Sequence, residues 1–273
     1  MRTEEIISMV LRKSGLQELP ADSGVIVPGD RIHKIFAGID MGTPELLLAK
    51  EFGADLVLSH HPQTGLQQID FHRVMERQID KMVEAGVPIN KAQKALREQM
   101  GKIERANHVG NYDRVASAAR LLGIPYMNLH LPVDIITENL LQSHLDQTLA
   151  TKCKATLQDV VDALVLIPEY QKALTQPAIR VGAAADYAGK VLVLMAGGTN
   201  GGEQVFKAYF AAGIGTIVCM HVPDDVRKAV IEQNIGNVIV AGHMASDSIG
   251  MNLVCDELSS AGLIVTRLGG IVA

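Results

Sequence analysis

The chain has 273 residues, enough for one large α/β domain or two smaller ones whose core needs no disulfide or structural metal. Charged residues make up 20% and the AVILMFWYC class 48%, which excludes disorder, and Gly 25 against Pro 10 excludes a collagen-like or proline-rich filament. The net charge of −5, with 4% aromatic residues and no Trp, argues against a nucleic-acid partner, because neither a cationic field nor a stacking platform is present. The three cysteines, Cys153, Cys219 and Cys255, are odd in number and never form C-x-x-C, so a reducing cytoplasmic setting is expected. The opening Met1-Arg2-Thr3-Glu4-Glu5 does not read as a secretory leader, and no apolar run approaches the roughly 20 residues of a membrane span.

In chain order, Thr3 is expected to cap a helix that carries Glu4 and Glu5 in its first turn and stops at Gly15. A strand at Ile35–Asp40, a helix at Pro44–Glu51 and a strand at Ala54–Ser59 follow, the last running into His60-His61-Pro62. Helical spacing of Phe71, Val74, Met75, Ile79, Met82 and Val83 predicts a helix over Asp70–Gly86, with others at Asn90–Ala106 and Asn111–Leu122. Ile124–Leu131 returns to strand, and Asp134–Leu149 and Thr156–Ala163 read as helices. Beyond Pro177 strands are expected at Ile179–Ala183, Val191–Met195, Thr216–Met220, Asn237–Ala241 and Leu263–Leu268. Helices at Gly202–Ala212, Asp224–Gln233 and Ser246–Ala261 alternate with them. The fold class is therefore α/β with mixed sheets.

Three strand ends carry histidine: Ser59-His60-His61-Pro62, His130-Leu131-Pro132-Val133-Asp134 and His243-Met244-Ala245-Ser246-Asp247. Ligands gather outside the carboxyl ends of strands in open α/β sheets. Two adjacent histidines leaving the pleat can turn toward one cavity, and an H-x-x-x-D element that winds into a helix puts both side chains on one face. Four imidazoles and two carboxylates exceed the three protein ligands of a usual catalytic zinc, so two ions held by nitrogen and oxygen fit better than one. Zn, Fe, Mn or Co all accept such donors. His33, His72, His108, His144 and His221 lack a comparable companion and read as surface or core residues. The glycine-rich run Ala196-Gly197-Gly198-Thr199-Asn200-Gly201-Gly202 reads as a tight turn that, beside a metal site, could also receive a phosphate. Asp70 to Ala106 reads as a solvated, charged face.

Together with Asp22-Ser23-Gly24, Gly38-Ile39-Asp40 and Gly53 to Pro62, the late Gly242-His243-Met244-Ala245-Ser246-Asp247 resembles the NGG-interacting-factor-three-like family, also described as GTP cyclohydrolase type-two homologues. The resemblance covers most of the chain. It implies two α/β domains with a dinuclear metal site in the cleft between them, and a homo-oligomer, by likeness a ring-shaped hexamer. One domain is expected at 1–134 plus 238–273 and an inserted one at 135–237. By resemblance His60, His61, Asp134, His243 and Asp247 hold the metals, and His130 matches the histidine of the family's H-x-x-x-D element. The final acid, usually Glu in the family, is Asp247 here, and the stretch between His61 and His130 is longer and more helical. The expected activity is metal-dependent hydrolysis of a nucleotide-like small molecule or phosphoester, with His130 as a proton shuttle. The alternative is a non-catalytic metal-binding or metal-handling scaffold.

Overall fold

The computed structural model describes all residues 1–273. The chain divides into two units: Met1–Val74, Ile103–Ile136 and Asp247–Ala273 form the first, and Met75–Lys102 with Thr137–Ser246 form the second. The elements run α1 (Thr3–Ser14), β1 (Gly24–Val27), β2 (Lys34–Gly38), α2 (Thr43–Glu51), β3 (Leu56–Ser59) and α3 (Gly65–Ile69). A 3₁₀ segment at Asp70–Glu76 leads to α4 (Arg77–Glu84), α5 (Ile89–His108), α6 (Arg114–Leu122), β4 (Tyr126–Asn128) and α7 (Leu131–Leu149). Then come α8 (Leu157–Val165), α9 (Pro168–Lys172), β5 (Ala178–Val181), β6 (Val191–Leu194) and α10 (Glu203–Ala211). The chain ends with β7 (Thr216–Cys219), α11 (Asp224–Gln233), β8 (Asn237–Val240), α12 (His243–Ser260) and β9 (Ile264–Leu268).

The first unit is built on a five-stranded sheet of order β1-β4-β3-β2-β9, parallel except for β1, which pairs antiparallel with β4. The second holds a four-stranded sheet of order β5-β8-β7-β6, with β5 antiparallel to β8 and the rest parallel. Both sheets are mixed, as the sequence indicates. Strand β3 is buried along its whole length because helices cover both faces of such a sheet, which is why Leu56-Val57-Leu58 shows no polar alternation. Phe36, Leu46, Val57, Val115 and Tyr126 anchor the core between β2, β3, β4, α2 and α6. No helix is long and apolar enough to cross a membrane.

Several boundaries differ from the sequence expectation. Thr3 is the first helical residue and not the cap. Arg2 occupies that place, and its N–H donates to Glu5 Oε2 at 2.6 Å. Strand β1 was not expected, since four residues bounded by Pro28 carry little pattern. The expected helix over Asp70–Gly86 is divided, with its first seven residues in 3₁₀ form. Helix α7 begins three residues before Asp134 and α12 three residues before Ser246. In α7, Pro132 falls where a helix start tolerates it, because the first helical N–H groups have no partner to lose.

The parallel edge strand of the second sheet, β6, meets side chains instead of another strand. Gln142 of α7 accepts the Val193 N–H at 2.9 Å through Oε1 and donates through Nε2 to the Val191 carbonyl at 3.3 Å. One turn earlier, Glu138 Oε2 accepts the N–H groups of Met195 at 2.9 Å and Ala196 at 3.0 Å. Two residues at i, i+4 on one helix thus take up edge groups that would otherwise seek another chain.

Candidate metal centre

The site begins at the end of β3. His60 N–H donates to the Gly38 carbonyl at 2.8 Å and His61 N–H to the Ile39 carbonyl at 2.9 Å. In a regular strand successive N–H groups point opposite ways. Consecutive bonds to the last residue of β2 and the one after it mean that the chain has already left the pleat, and both imidazoles turn to one side with ring centres 5.1 Å apart. Ser59 pins this turn, its hydroxyl accepting the Met41 N–H at 3.3 Å and reaching the His61 carbonyl at 2.9 Å.

His130 stands at the start of α7, where its carbonyl accepts the Asp134 N–H at 3.1 Å. The helix therefore winds through the intervening residues, and Asp134 follows His130 on the same face. The His130 ring lies 4.8 Å from that of His60 and 5.7 Å from that of His61, with Phe71 closing one side at 5.2 Å. Asp247, within the first turn and a half of α12, presents Oδ1 3.7 Å from His60 Nε2 and Oδ2 3.2 Å from His61 Nε2. Asp134 Oδ1 lies 3.3 Å from His60 Nε2.

Each of these three imidazoles is held through Nδ1. His60 Nδ1 lies 2.9 Å from the Leu129 carbonyl, His61 Nδ1 2.9 Å from Asp40 Oδ1, and His130 Nδ1 2.7 Å from Asp22 Oδ2. Carbonyls and ionised carboxylates only accept, so Nδ1 is the donor in each pair and Nε2 carries the lone pair of the neutral ring. For His60 that lone pair faces two carboxylates in a site closed to solvent, and His60 Nε2 and Asp134 Oδ1 are both buried without a hydrogen bond. Acceptors facing acceptors repel unless a cation stands among them. Two quite different cations satisfy that demand, a proton or a metal ion.

The protonation tendencies show the same strain. Burial pushes the His60 pKa down, yet the carboxylates of Asp247 and Asp134 outweigh it and hold the group well above the ordinary histidine value. Burial likewise lowers that of His61, and its contacts with Asp247 and Asp40 raise it further than the neighbouring His60 and burial depress it. Two sets of donors in this unit, His60 with His61 and His130, and His60 with Asp134 and Asp247, bring one ligand atom from each residue within 4.8 Å of one another and could hold a metal ion. The donors are imidazole and carboxylate with no thiolate, which suits Zn, Fe, Mn or Co.

Five of the six residues singled out by sequence, His60, His61, His130, Asp134 and Asp247, thus converge within the first unit. The sixth, His243, opens α12 one turn ahead of Asp247, on the same face of that helix. His221, read from sequence as isolated, has a companion after all. Its ring meets that of His243 edge-on at 5.1 Å, because β7 and β8 are parallel neighbours that end side by side. Asp22 and Asp40 were visible only as parts of short motifs. Nothing local marks either as a partner of an imidazole, since the Asp22–His130 bond spans 108 residues. The glycine run after β6 is a turn that glycine makes without steric cost, with Gly197, Gly198 and Gly202 at positive φ. Gln78 Nε2 donates to the carbonyls of Gly197 and Thr199 at 2.7 Å each, and Glu138 takes the amides of Met195 and Ala196.

A fold of this kind, with imidazoles and carboxylates gathered at strand ends, defines a metal-binding α/β class. The chain aligns over 99% of its length with 98% of a NIF3 superfamily protein from Sphaerobacter thermophilus, at 35% identity and a TM-score of 0.95. It belongs to the NIF3 superfamily. Two more distant structures share the fold: reduced HcgD from Methanocaldococcus jannaschii, at 16% identity, TM-score 0.63 and 98% coverage of each chain, and a Bacillus cereus protein related to NIF3, at 10% identity, TM-score 0.54 and coverage of 98% of this chain and 96% of that one. No protein-family model and no curated protein matches the chain.

Proposed function

We propose that the chain is a metal-dependent hydrolase holding two divalent ions, acting on a small nucleotide-like or phosphoester substrate. The observation that carries this reading is the lone pair of His60 set against Asp134 at 3.3 Å and Asp247 at 3.7 Å in a fully buried position. His60, His61, Asp134, His243 and Asp247 are the proposed ligands. Paired divalent ions, when bound, supply Lewis acidity, bringing the pKa of water toward neutrality and polarising a phosphoryl or ring carbon centre. The chain's own contribution starts with charge. Two carboxylates leave part of the charge of two divalent ions uncompensated, which favours an anionic substrate. Asp40 and the Leu129 carbonyl keep the His61 and His60 rings oriented, so that their ligand atoms need not be ordered when the ions arrive. His130 is the proposed proton carrier, with Nδ1 engaged by Asp22 and its ring 4.8 Å from that of His60.

The assembly expected with this reading is a homo-oligomer larger than a dimer, and the exposed apolar residues Leu47 and Leu48 of α2, Phe52 just after it and Leu121 of α6 offer surface for it. Light scattering at micromolar protein checks this, and a monodisperse monomer contradicts it.

Elemental analysis of protein purified without added metal or chelator tests the centre itself. Close to two ions per chain is the expected result, and one ion or none after reconstitution of folded protein removes the dinuclear reading. The same material is then assayed against nucleotides and phosphoesters. Two ions with no turnover of any of them assign the chain to the metal-handling scaffolds, in which the same ligands saturate the ions.

A further inference from the structure

Asp22 sits in the turn before β1 and is 0% exposed, as deeply buried as any core residue. A buried carboxylate is costly unless its lone pairs are taken and its charge is met. Here the donors come from the start of α7 and from the adjacent Ser23. His130 Nδ1 lies 2.7 Å and the Leu131 N–H 3.3 Å from Oδ2, while the Ser23 hydroxyl reaches Oδ1 at 3.1 Å. Ser23 Oγ in turn accepts the His130 N–H at 2.9 Å. The Asn128 side chain fixes the clamp from the other side by donating to the Asp22 carbonyl at 2.6 Å. No lysine or arginine is paired with this carboxylate, and the one group beside it able to carry positive charge is the ring of His130.

We propose that Asp22 is a positioning residue that locks His130 in the Nδ1–H tautomer and aims its Nε2 lone pair at the His60–His61 cluster. This rests on the metal-site reading above. The histidine then approaches its task as a carboxylate–imidazole pair, in which the carboxylate fixes the ring and its tautomer. The competing role is purely structural: Asp22 as a cap for the start of α7 through the Leu131 N–H. The two roles differ in whether the effect of Asp22 passes through the His130 ring.

The tautomer separates them. Two-bond ¹H–¹⁵N correlation spectra of the full-length, metal-free, ¹⁵N-histidine-labelled chain at pH 8 are recorded for wild type and Asp22→Asn. Asparagine keeps the size of the side chain but can present its amide N–H to Nδ1, which favours the wrong tautomer. The expected result is a wild-type His130 with its proton on Nδ1 and none on Nε2, and in Asp22→Asn a shift of that proton to Nε2. A wild-type proton on Nε2, or the same tautomer in both proteins, overturns the proposal. Should Asp22→Asn fail to fold, the wild-type spectrum still decides. If equilibrium dialysis shows that wild type binds no Co²⁺ the metal reading fails by itself, and the same spectra still decide whether Asp22 sets the tautomer.

Discussion

The two sheets repeat one plan. In each, the first strand (β1 or β5) lies at an edge and runs antiparallel to the fourth (β4 or β8), and the second, third and fourth strands are parallel, giving the orders 1-4-3-2 and 5-8-7-6. In each, the fourth strand ends in H-x-x-x-D and opens a long helix, so His130 and Asp134 of α7 correspond to His243 and Asp247 of α12. The third strands end in histidine too, His60-His61 after β3 and His221 after β7. The differences are as informative as the match. The first half adds a second histidine, the long helical insertion α3 to α6, and a carboxylate in the turn before its first strand; the corresponding positions before β5 are Gln176 and Pro177. A shared scaffold supplies the strand-end histidine and the carboxylate one helical turn on, while the additions that orient an imidazole are concentrated in one half.

If the two H-x-x-x-D elements are equivalent in function as well as in topology, removing either carboxylate should be comparably damaging. Asp134→Ala and Asp247→Ala are each expected to lose at least one ion per chain and any hydrolytic activity, with the far-ultraviolet circular dichroism unchanged. Asp247→Glu should keep both ions, since it restores the acid usual in the family. Elemental analysis of the three variants checks this. Full occupancy in Asp247→Ala but not in Asp134→Ala would show that the second copy is only a helix start.

Proton and metal compete for the same lone pair, so pH should separate the loaded from the stripped protein. The folded-state pKa of His60 is raised well above its ordinary 6.5. In the metal-free chain the protonated ring therefore adds stability that is fully present below that value and is lost as pH rises through the folded-state pKa. Metal binding runs the other way, its apparent affinity growing with pH as the proton is displaced. The gap in Tm between loaded and stripped protein should widen from pH 6 to pH 9. Parallel curves would mean that the ring is not a ligand.

This much of the molecule was legible because its signals are local. A buried run such as Leu56-Val57-Leu58 followed by histidine declares both a strand and its end, and an i, i+4 pair declares a shared helix face. What escaped is what depends on distant partners. Strand β1 exists because Gly24 and Val25 pair with Asn128 and Met127. Asp22 finds its role only when β1 pairs with β4 and carries it beside His130. His221 meets His243 only because β7 and β8 lie side by side. Of the site residues, those on strand ends were visible and those that orient them were not.

The helices after the two H-x-x-x-D elements diverge one turn further on. Position 138 of α7 is a buried glutamate, where α12 has Met251. Glu138 Oε1 lies 3.0 Å from Lys81 Nζ and 3.6 Å from Arg77, and its other oxygen holds the Met195 and Ala196 amides. Removing one partner of a buried, hydrogen-bonded pair strands the rest, so Glu138→Ala should cost about 3 kcal/mol. Glu138→Gln, which keeps an acceptor for the amides, should cost less. Chemical denaturation measures both, and a cost below that of an ordinary surface change would remove Glu138 from the second unit's support.

The smallest effect concerns how each sheet ends. In the first, β2 is followed outward by β9, whose residues Ile264 to Leu268 pair in register with Lys34 to Gly38. In the second, the corresponding strand β6 has no such neighbour, and Gln142 stands in for one by bonding Val191 and Val193. A single side-chain amide replaces only part of a strand, but it occupies the groups through which another chain would add. Gln142→Ala should therefore lower stability by only about 1 kcal/mol, the net worth of an ordinary hydrogen bond. Its clearer consequence should be self-association that rises with protein concentration and is absent from variants of α1, which lies far along the chain from this edge. Sedimentation velocity over a range of concentrations would show it. If Gln142→Ala keeps the wild-type distribution of species at every concentration, then Glu138 and the turn after β6 suffice to close the edge, and the second sheet needs no substitute for β9.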